Sequence, residues 1–221
     1  MRLGLDGSGS RAAGFVLAGG ESSRMGTDKA LVPLAGQPLI VHALGLLREA
    51  GLEPAIAGAR SDLSAYGRVI ADGGIGPLGG ICAALTMASS DFSVFVSVDA
   101  PLLGAGLLTF LLEHAQRTDA GIVLAAVNGF AQTFPCAIHR SLLPALQAEL
   151  DGGNDGCFAA FREAAASTRK PLRILAVEEL AQTGQVEHPL GFPVTSWFLN
   201  VNTPADLVRS EALLALHYRV S

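Results

Sequence analysis

Short, almost wholly apolar runs recur along the chain, and glycine, proline or polar residues bound each of them. Runs of this length and composition are typical of buried β-strands. The pair Asn128-Gly129 follows one of these runs and predicts a turn. The strands predicted from the apolar runs cover residues 14–18, 54–57, 68–71, 92–98, 121–127, 172–177 and 197–201.

Amphipathic stretches lie between most of the apolar runs. In the first of these stretches, Leu39, Ala43 and Leu47 share one helical face. In the last, Thr203 is the expected N-cap and Pro204 is the expected first helical residue. The helices predicted in this way cover residues 38–50, 78–88, 107–117, 141–150, 157–166 and 204–217.

The alternation of strands and helices predicts an α/β fold in which helices cover both faces of a mostly parallel sheet. Ligands of such sheets bind beyond the carboxyl ends of the strands. We expect residues 14–221 to form a single domain, because no linker or internal repeat interrupts them. Residues 1–13, which include Gly-Ser-Gly-Ser at positions 7–10, are expected to form a flexible lead.

The composition excludes several classes of protein. The 221 residues are 50% hydrophobic and 16% charged, with a net charge of −5, which favours a large core over disorder. No basic cluster suggests nucleic-acid binding, and no apolar run reaches the roughly 18 residues of a membrane span. Cys82, Cys136 and Cys157 lack CxxC spacing, so we expect buried thiols in a reducing cytoplasm. The histidine spacings predict no histidine metal site.

The segment LAGGESSRMGTDKALVPLAGQPL, residues 17–39, follows the first predicted strand. Gly19 and Gly20 allow close approach of backbone to a ligand, and successive N–H groups there can hold an anion. Arg24 and Lys29 add positive charge. The spacing fits neither a Walker A loop nor a dinucleotide fingerprint. The loop therefore predicts a polyphosphate site, with a solvated loop carrying incidental charges as the alternative.

Three further places carry candidate chemistry. Asp99 ends an apolar run, where a carboxylate can hold Mg²⁺ against a phosphate or can instead cap a turn. The segment GPLGG at residues 76–80 either exposes backbone to a base or only begins a helix. Asn200 and Asn202 share one side of the strand predicted at 197–201, so they either face one site or form a turn.

Taken in order, LAGGESSRMGTDKALVPLAGQPL, GPLGG, VSVDAP and FLNVNTPADL resemble the motifs of the molybdenum cofactor guanylyltransferases. The resemblance extends over residues 14–217 and implies a Rossmann-like three-layer α/β/α nucleotidyltransferase fold. It implies that GMP passes from GTP to the terminal phosphate of molybdopterin or of the molybdenum cofactor, with release of pyrophosphate. It also implies a cytoplasmic, Mg²⁺-dependent enzyme whose partner is a molybdenum-insertion protein or a molybdoenzyme chaperone.

The resemblance assigns roles to individual residues. Arg24 and Lys29 would be catalytic groups that hold phosphates, and Asp99 would be catalytic by carrying Mg²⁺. Asn200 and Asn202 would lie on the acceptor or metal side. The nucleotide would be bound by Leu17, Ala18, Gly19, Gly20, Arg24, Lys29, Asp72, Gly76, Pro77, Leu78 and Gly79.

The sequence departs from the family near the end of the second strand, where an asparagine is usual and residues 57–60 read Ala-Gly-Ala-Arg. Two alternatives are nucleotidyltransferases as well: a cytidylyltransferase acting on the same cofactor, or an enzyme acting on another sugar or polyol phosphate. A third alternative belongs to a different class, a nucleotide-binding regulator without catalysis.

Overall fold

The computed structural model describes residues 12–19, 28–154 and 156–218. The strands in these ranges are β1 (Ala13–Leu17), β2 (Pro33–Leu34), β3 (Gln37–Pro38), β4 (Glu53–Ala57), β5 (Val69–Ile70), β6 (Phe92–Ser97), β7 (Ile122–Val127), β8 (Phe130–His139) and β9 (Leu172–Ala176). The α-helices are α1 (Leu39–Glu49), α2 (Gly76–Met87), α3 (Ala105–Thr118), α4 (Leu143–Asp151), α5 (Cys157–Thr168), α6 (Val177–Gln182), α7 (Val194–Trp197) and α8 (Pro204–Tyr218).

A seven-stranded sheet in the order β5-β4-β1-β6-β8-β7-β9 forms the middle of the molecule. Its pairings are parallel except for those of β8, which runs antiparallel to both β6 and β7. From β1 the chain moves outward to β4 and β5, and it then returns to place β6 on the other side of β1. The strand order therefore reverses between β1 and β6, which creates a crevice at their carboxyl ends.

Two hydrophobic cores, one on each face of the sheet, make the fold a three-layer α/β/α sandwich. Alternate side chains of β1 enter different cores, since successive strand residues point to opposite faces. Val16 packs in the core that includes α1 and α3. Phe15 and Leu17 pack in the core that includes α2, α4 and α5. The predicted α/β class with a mostly parallel sheet is confirmed.

The strand β8 was not predicted from the sequence. Pro135 lies in its middle, and proline normally excludes a segment from the interior of a sheet because it cannot donate a ladder hydrogen bond. Here the register between β7 and β8 shifts, so that Leu124 pairs with Cys136 but Ala125 pairs with Gln132. The proline falls within this irregularity, where no ladder partner is required of it.

The strand predicted at residues 197–201 is wrong. Residues 194–197 form the single turn of α7, which begins directly after Pro193. Trp197 is buried, and its indole N–H donates to the carbonyl of Phe192 at 2.7 Å. This buried ring decides the local structure, so the apolar run is used to fill the core and not to extend the sheet.

The first strand begins at Ala13, one residue before the expected domain boundary. Ala12 also packs against the core, while the rest of the expected lead, residues 1–11, lies outside the described residues. Cys82, Cys136 and Cys157 are buried thiols that are not joined in disulfides, and burial raises the pKa of the Cys82 thiol to about 11. Among the residues described, no helix has the length and apolar composition needed to cross a membrane.

Candidate active site

Three distant segments meet at the crevice between β1 and β6. Lys29 opens a 3-10 turn whose N-cap, Asp28, accepts a hydrogen bond from the N–H of Ala30 at 3.1 Å. Asp99 lies two residues beyond the end of β6. The N–H of Val201 donates to the carbonyl of Asp99 at 2.8 Å and holds the segment after α7 beside it.

Lys29, Asp99 and Asn202 form one hydrogen-bonded group, which we call the lysine cluster. The Lys29 ammonium lies 3.0 Å from Asp99 Oδ2 and 2.6 Å from Asn202 Oδ1. Ser97 supports it, because its hydroxyl donates to Asp99 Oδ1 at 2.6 Å. The side chains of Lys29 and Asp99 are 20% and 16% exposed, so the cluster is reachable from the crevice.

The oxygens around the Lys29 ammonium are of the kind that a hard divalent cation uses. Carboxylate and amide oxygens are ligands of Mg²⁺, which commonly binds one or two carboxylates together with substrate phosphates. Within the described part of the chain, no three His, Cys, Asp or Glu residues form a group that could hold a metal. Asp99 and Asn202 therefore fit an ion whose remaining ligands come from a phosphate-bearing substrate and from water.

A cap at the start of α8 fixes the backbone of Asn202. Asp206 Oδ2 accepts hydrogen bonds from the N–H groups of Asn202 and Thr203 at 3.1 and 2.8 Å and from the Thr203 hydroxyl at 2.8 Å. The Asp206 N–H donates to Thr203 Oγ1 at 3.3 Å, as expected for an N-cap. The Thr203 hydroxyl, followed by the Asn202 N–H, lowers the pKa of the Asp206 carboxyl below its ordinary value. This carboxylate therefore stays charged at neutral pH.

The segment after β1, which begins with Ala18 and Gly19 and is called the glycine loop here, is described as far as Gly19. The N–H of Ala18 donates to the carbonyl of Ala57 at 3.2 Å, and the carbonyl of Ala18 accepts from Arg60 at 3.3 Å. Leu17 is buried, so Gly19 is the first exposed residue of the loop. Gly20 and Arg24, two of the predicted site residues, lie outside the described residues.

Asp72 lies beside the first turns of α2. Its Oδ1 accepts a hydrogen bond from the N–H of Gly74 at 2.8 Å. A Cβ added at Gly80 would lie 3.4 Å from Asp72 Oδ2 and 3.2 Å from Leu17 Cδ2, so a larger residue would require the Leu17 side chain to shift by a few tenths of an ångström. Of the other predicted residues in this segment, Leu78 and Gly79 are buried, Gly76 is half-buried and Pro77 is exposed.

The structure treats the two predicted asparagines differently. Asn202 binds Lys29, whereas Asn200 has an exposed side chain. The expectation that both face one side rested on a strand at 197–201 that is absent. Sequence reasoning also missed Ser97 as a partner of Asp99, although the spacing Ser-Val-Asp at a strand end places the two side chains on the same side.

The reversal of strand order, the glycine loop after β1 and the lysine cluster beside it define an α/β nucleotidyltransferase. Residues 14–169 match the family model described as the MobA-like NTP transferase domain. The chain belongs to this family, and the recognition of a guanylyltransferase-like nucleotidyltransferase from its motifs is confirmed at that level.

Individual proteins are similar over different shares of the chain. A molybdenum cofactor guanylyltransferase from Rhizobium johnstonii is 34% identical over 216 residues, which cover 93% of this chain and 94% of that protein. One from Xanthomonas euvesicatoria is 45% identical over 106 residues, 47% of this chain and 55% of that protein. Molybdopterin-guanine dinucleotide biosynthesis protein A from Archaeoglobus fulgidus shares the fold with a TM-score of 0.73 at 21% identity, covering 92% of this chain and 99% of that one.

The loops that follow β1 and β4 touch at Gly58, where φ is +147° and an added Cβ would lie 3.1 Å from the backbone nitrogen of Gly19. Gly58→Ala is expected to lower the free energy of unfolding by about 1–3 kcal/mol through backbone strain. Because the new methyl group also presses on Gly19, the variant should raise KM for a nucleoside triphosphate. Urea denaturation and steady-state kinetics measure the two effects.

Gly36→Ala is the matched control for this prediction. Gly36 also has a positive φ, +81°, but an added Cβ would meet no atom within 4 Å. It should lose stability for the same reason and keep its KM. If both variants had the same KM as the unmodified protein, the contact between Gly58 and Gly19 would not shape the nucleotide site.

Proposed function

We propose that this protein transfers GMP from GTP to the terminal phosphate of molybdopterin or of the molybdenum cofactor and releases pyrophosphate. The observation that carries the proposal is the lysine cluster at the end of β1 and β6, which unites a cation with two oxygen ligands beside the glycine loop. The similarity to guanylyltransferases over nearly the full chain supports this choice of substrates.

The residues of the site serve to position and neutralise phosphates. In the proposed reaction, an oxygen of the acceptor phosphate attacks the α-phosphorus of GTP, the bond from that phosphorus to the bridging oxygen breaks, and pyrophosphate leaves. Lys29 and Arg24 hold phosphate oxygens, which compensates charge that grows on the leaving group. Asp99 and Asn202 would hold Mg²⁺, which would supply positive charge against the phosphates. The acceptor phosphate is already ionised near neutral pH, so no general base is needed.

The base site is proposed between Asp72 and the start of α2. Gly79 and Gly80 have no side chains, so the first turns of α2 place no side-chain atoms at these two positions beside Asp72. Guanine presents two neighbouring N–H donors, at N1 and N2, and a carboxylate such as that of Asp72 is an acceptor for such donors. Adenine lacks this pair of donors on its Watson–Crick edge, and cytosine is smaller.

The protein is therefore expected to prefer GTP over CTP and ATP. Two unpaired buried hydrogen-bonding groups at about 1–3 kcal/mol each would give discrimination on the order of 10²- to 10⁴-fold in kcat/KM. The test incubates the purified protein with molybdopterin, Mg²⁺ and each nucleoside triphosphate, follows pyrophosphate and identifies the product by mass. Equal or better kcat/KM for CTP would assign the chain to cytidylyl transfer on the same cofactor.

The same assay separates the remaining alternatives. Transfer to sugar or polyol phosphates but not to molybdopterin would indicate a different acceptor class. Nucleotide binding without pyrophosphate release would indicate a regulator. Replacement of Mg²⁺ by Mn²⁺ or Ca²⁺ tests the proposed metal. We also propose that the reaction takes place in the cytoplasm, which is supported by three buried thiols outside disulfides. We propose further that a molybdenum-insertion protein or a molybdoenzyme chaperone receives the product.

A further inference from the structure

Arg60 connects three segments around the glycine loop although it belongs to the loop after β4. One guanidinium nitrogen donates to the carbonyl of Ala18 at 3.3 Å, at the end of β1. A second nitrogen forms an ion pair with Asp28 Oδ2, at the start of the turn that carries Lys29. Two hydrogen bonds to Asp62, at 2.9 and 2.7 Å, fix the plane of the guanidinium group.

Asp28 connects Arg60 to the 3-10 turn that begins with Lys29. Its two carboxylate oxygens have separate partners, since Oδ1 caps the 3-10 turn through the N–H of Ala30 and Oδ2 binds Arg60. Lys29 is the first residue of that turn. The position of its backbone therefore depends on Asp28, and Asp28 is held by a guanidinium that is itself attached to β1.

We propose that Arg60 is a positioning residue, which fixes Lys29 relative to the end of β1 so that both address the same nucleotide. This inference rests on the proposed nucleotidyl transfer. It goes beyond that proposal because, among the residues that the structure describes, Arg60 contacts none of the groups assigned to phosphate, metal or base apart from the carbonyl of Ala18.

Arginine is suited to this role by its shape and charge. Its planar fork makes these contacts from three separate nitrogens, Nε, Nη1 and Nη2, whereas the three donors of a lysine share a single nitrogen and cannot reproduce this arrangement. The hydrogen bonds to Asp62 foremost, and those to Asp28, raise the pKa of the Arg60 guanidinium further above its ordinary value. The side chain is only 18% exposed, which keeps its contacts partly shielded from water.

Kinetic analysis of three variants tests the role. Arg60→Gln is expected to lower kcat by roughly 10- to 10²-fold, the loss associated with a displaced catalytic group, with a smaller change in KM for GTP. Arg60→Lys should not restore kcat, because charge alone cannot bridge three partners. Arg68→Gln, a loss of the same charge eight residues further along, should behave as the unmodified protein. Restoration by lysine, or an equal loss in Arg68→Gln, would overturn the proposal.

A double-mutant cycle tests the path through Asp28. Asp28→Asn preserves the turn, because asparagine is also a good N-cap, but it removes the charge that binds Arg60. If Arg60 acts through Asp28, the double variant should be about as slow as the slower single variant. Multiplied losses in kcat would show that the two residues act independently and would contradict the proposed path.

A measurement without turnover separates this inference from the proposed function. The chain has only two lysines, Lys29 and Lys170, and Lys170 is paired with Asp119. We expect an amine-selective label to modify Lys29 severalfold faster in Arg60→Gln than in the unmodified protein, with Lys170 unchanged as the internal standard. Unchanged Lys29 labelling would overturn the positioning role even in an active enzyme. Absence of transfer from every nucleotide, with accelerated labelling in the variant, would instead reject only the proposed reaction.

Discussion

Asp99→Asn is expected to lower the rate of nucleotidyl transfer by roughly 10³-fold or more while the protein remains folded. The substitution removes one negative charge from the lysine cluster and keeps the size of the side chain. A metal-bound carboxylate contributes several kcal/mol to stabilising the transition state, and each 1.36 kcal/mol corresponds to about tenfold in rate. Pyrophosphate release at saturating GTP and Mg²⁺ measures the loss, and thermal melting reports the fold.

The surroundings of Asp99 make this variant informative. The contact that attaches the segment after α7 uses the backbone carbonyl of Asp99 and not its side chain, so asparagine leaves it in place. The Ser97 hydroxyl can still donate to an amide oxygen at the same position. A low rate in Asp99→Asn would therefore result from the lost charge and not from displacement of the segment after α7.

Asp119→Asn is the matched control, because Asp119 also pairs with a lysine, Lys170, but this pair joins the end of α3 to a position two residues before β9. Asp119 is exposed, and exposed ion pairs contribute little to stability. The control should keep full activity. Rates for Asp99→Asn that match those of the unmodified protein at saturating Mg²⁺ would exclude a metal role for Asp99.

Periodicity was sufficient to predict the sheet strands that are buried on both faces. β1, β6 and β7 are near-continuous apolar runs, and such a run predicts a buried strand without any information about the strands that pair with it. β8 lacked this signal, because its first half is not fully buried and contains Gln132, and Pro135 follows in its middle. Its pairing depends on β6 and β7 already being in place, which a local pattern does not contain.

In the candidate site too, the residues with a local sequence signal were predicted, and the contacts between distant residues were not. Glycine spacing and charge identified the loop with Lys29, and the position at a strand end identified Asp99. The contact between Lys29 and Asn202 joins residues 173 positions apart. The order of the motifs indicated that both residues belong to one site, but it did not predict that their side chains bind each other. Arg60 was noticed only as a departure from the family, since its three partners are close together only after β1 and β4 have paired.

Lys29→Ala is expected to lower kcat/KM for GTP by roughly 10²-fold or more, which corresponds to about 2.7 kcal/mol of phosphate stabilisation. Lys29 lies at the crevice with its ammonium bound between Asp99 and Asn202, so it is placed to exchange one of these oxygens for a phosphate oxygen of the substrate. Arg24→Ala, at a position outside the described residues, is expected to cause a loss of similar size.

The chain supplies its own control for this prediction. Lys170→Ala removes the only other lysine, which pairs with Asp119 away from the lysine cluster, and it should leave kcat/KM unchanged. Lys29→Ala also leaves Asp99 and Asn202 without the cation between them, so we expect a lower unfolding temperature that rises again when Mg²⁺ and GTP are added together. If Lys29→Ala kept full kcat/KM for GTP, Lys29 would be only a structural partner of Asp99, and the proposal that it binds a phosphate of the substrate would be wrong.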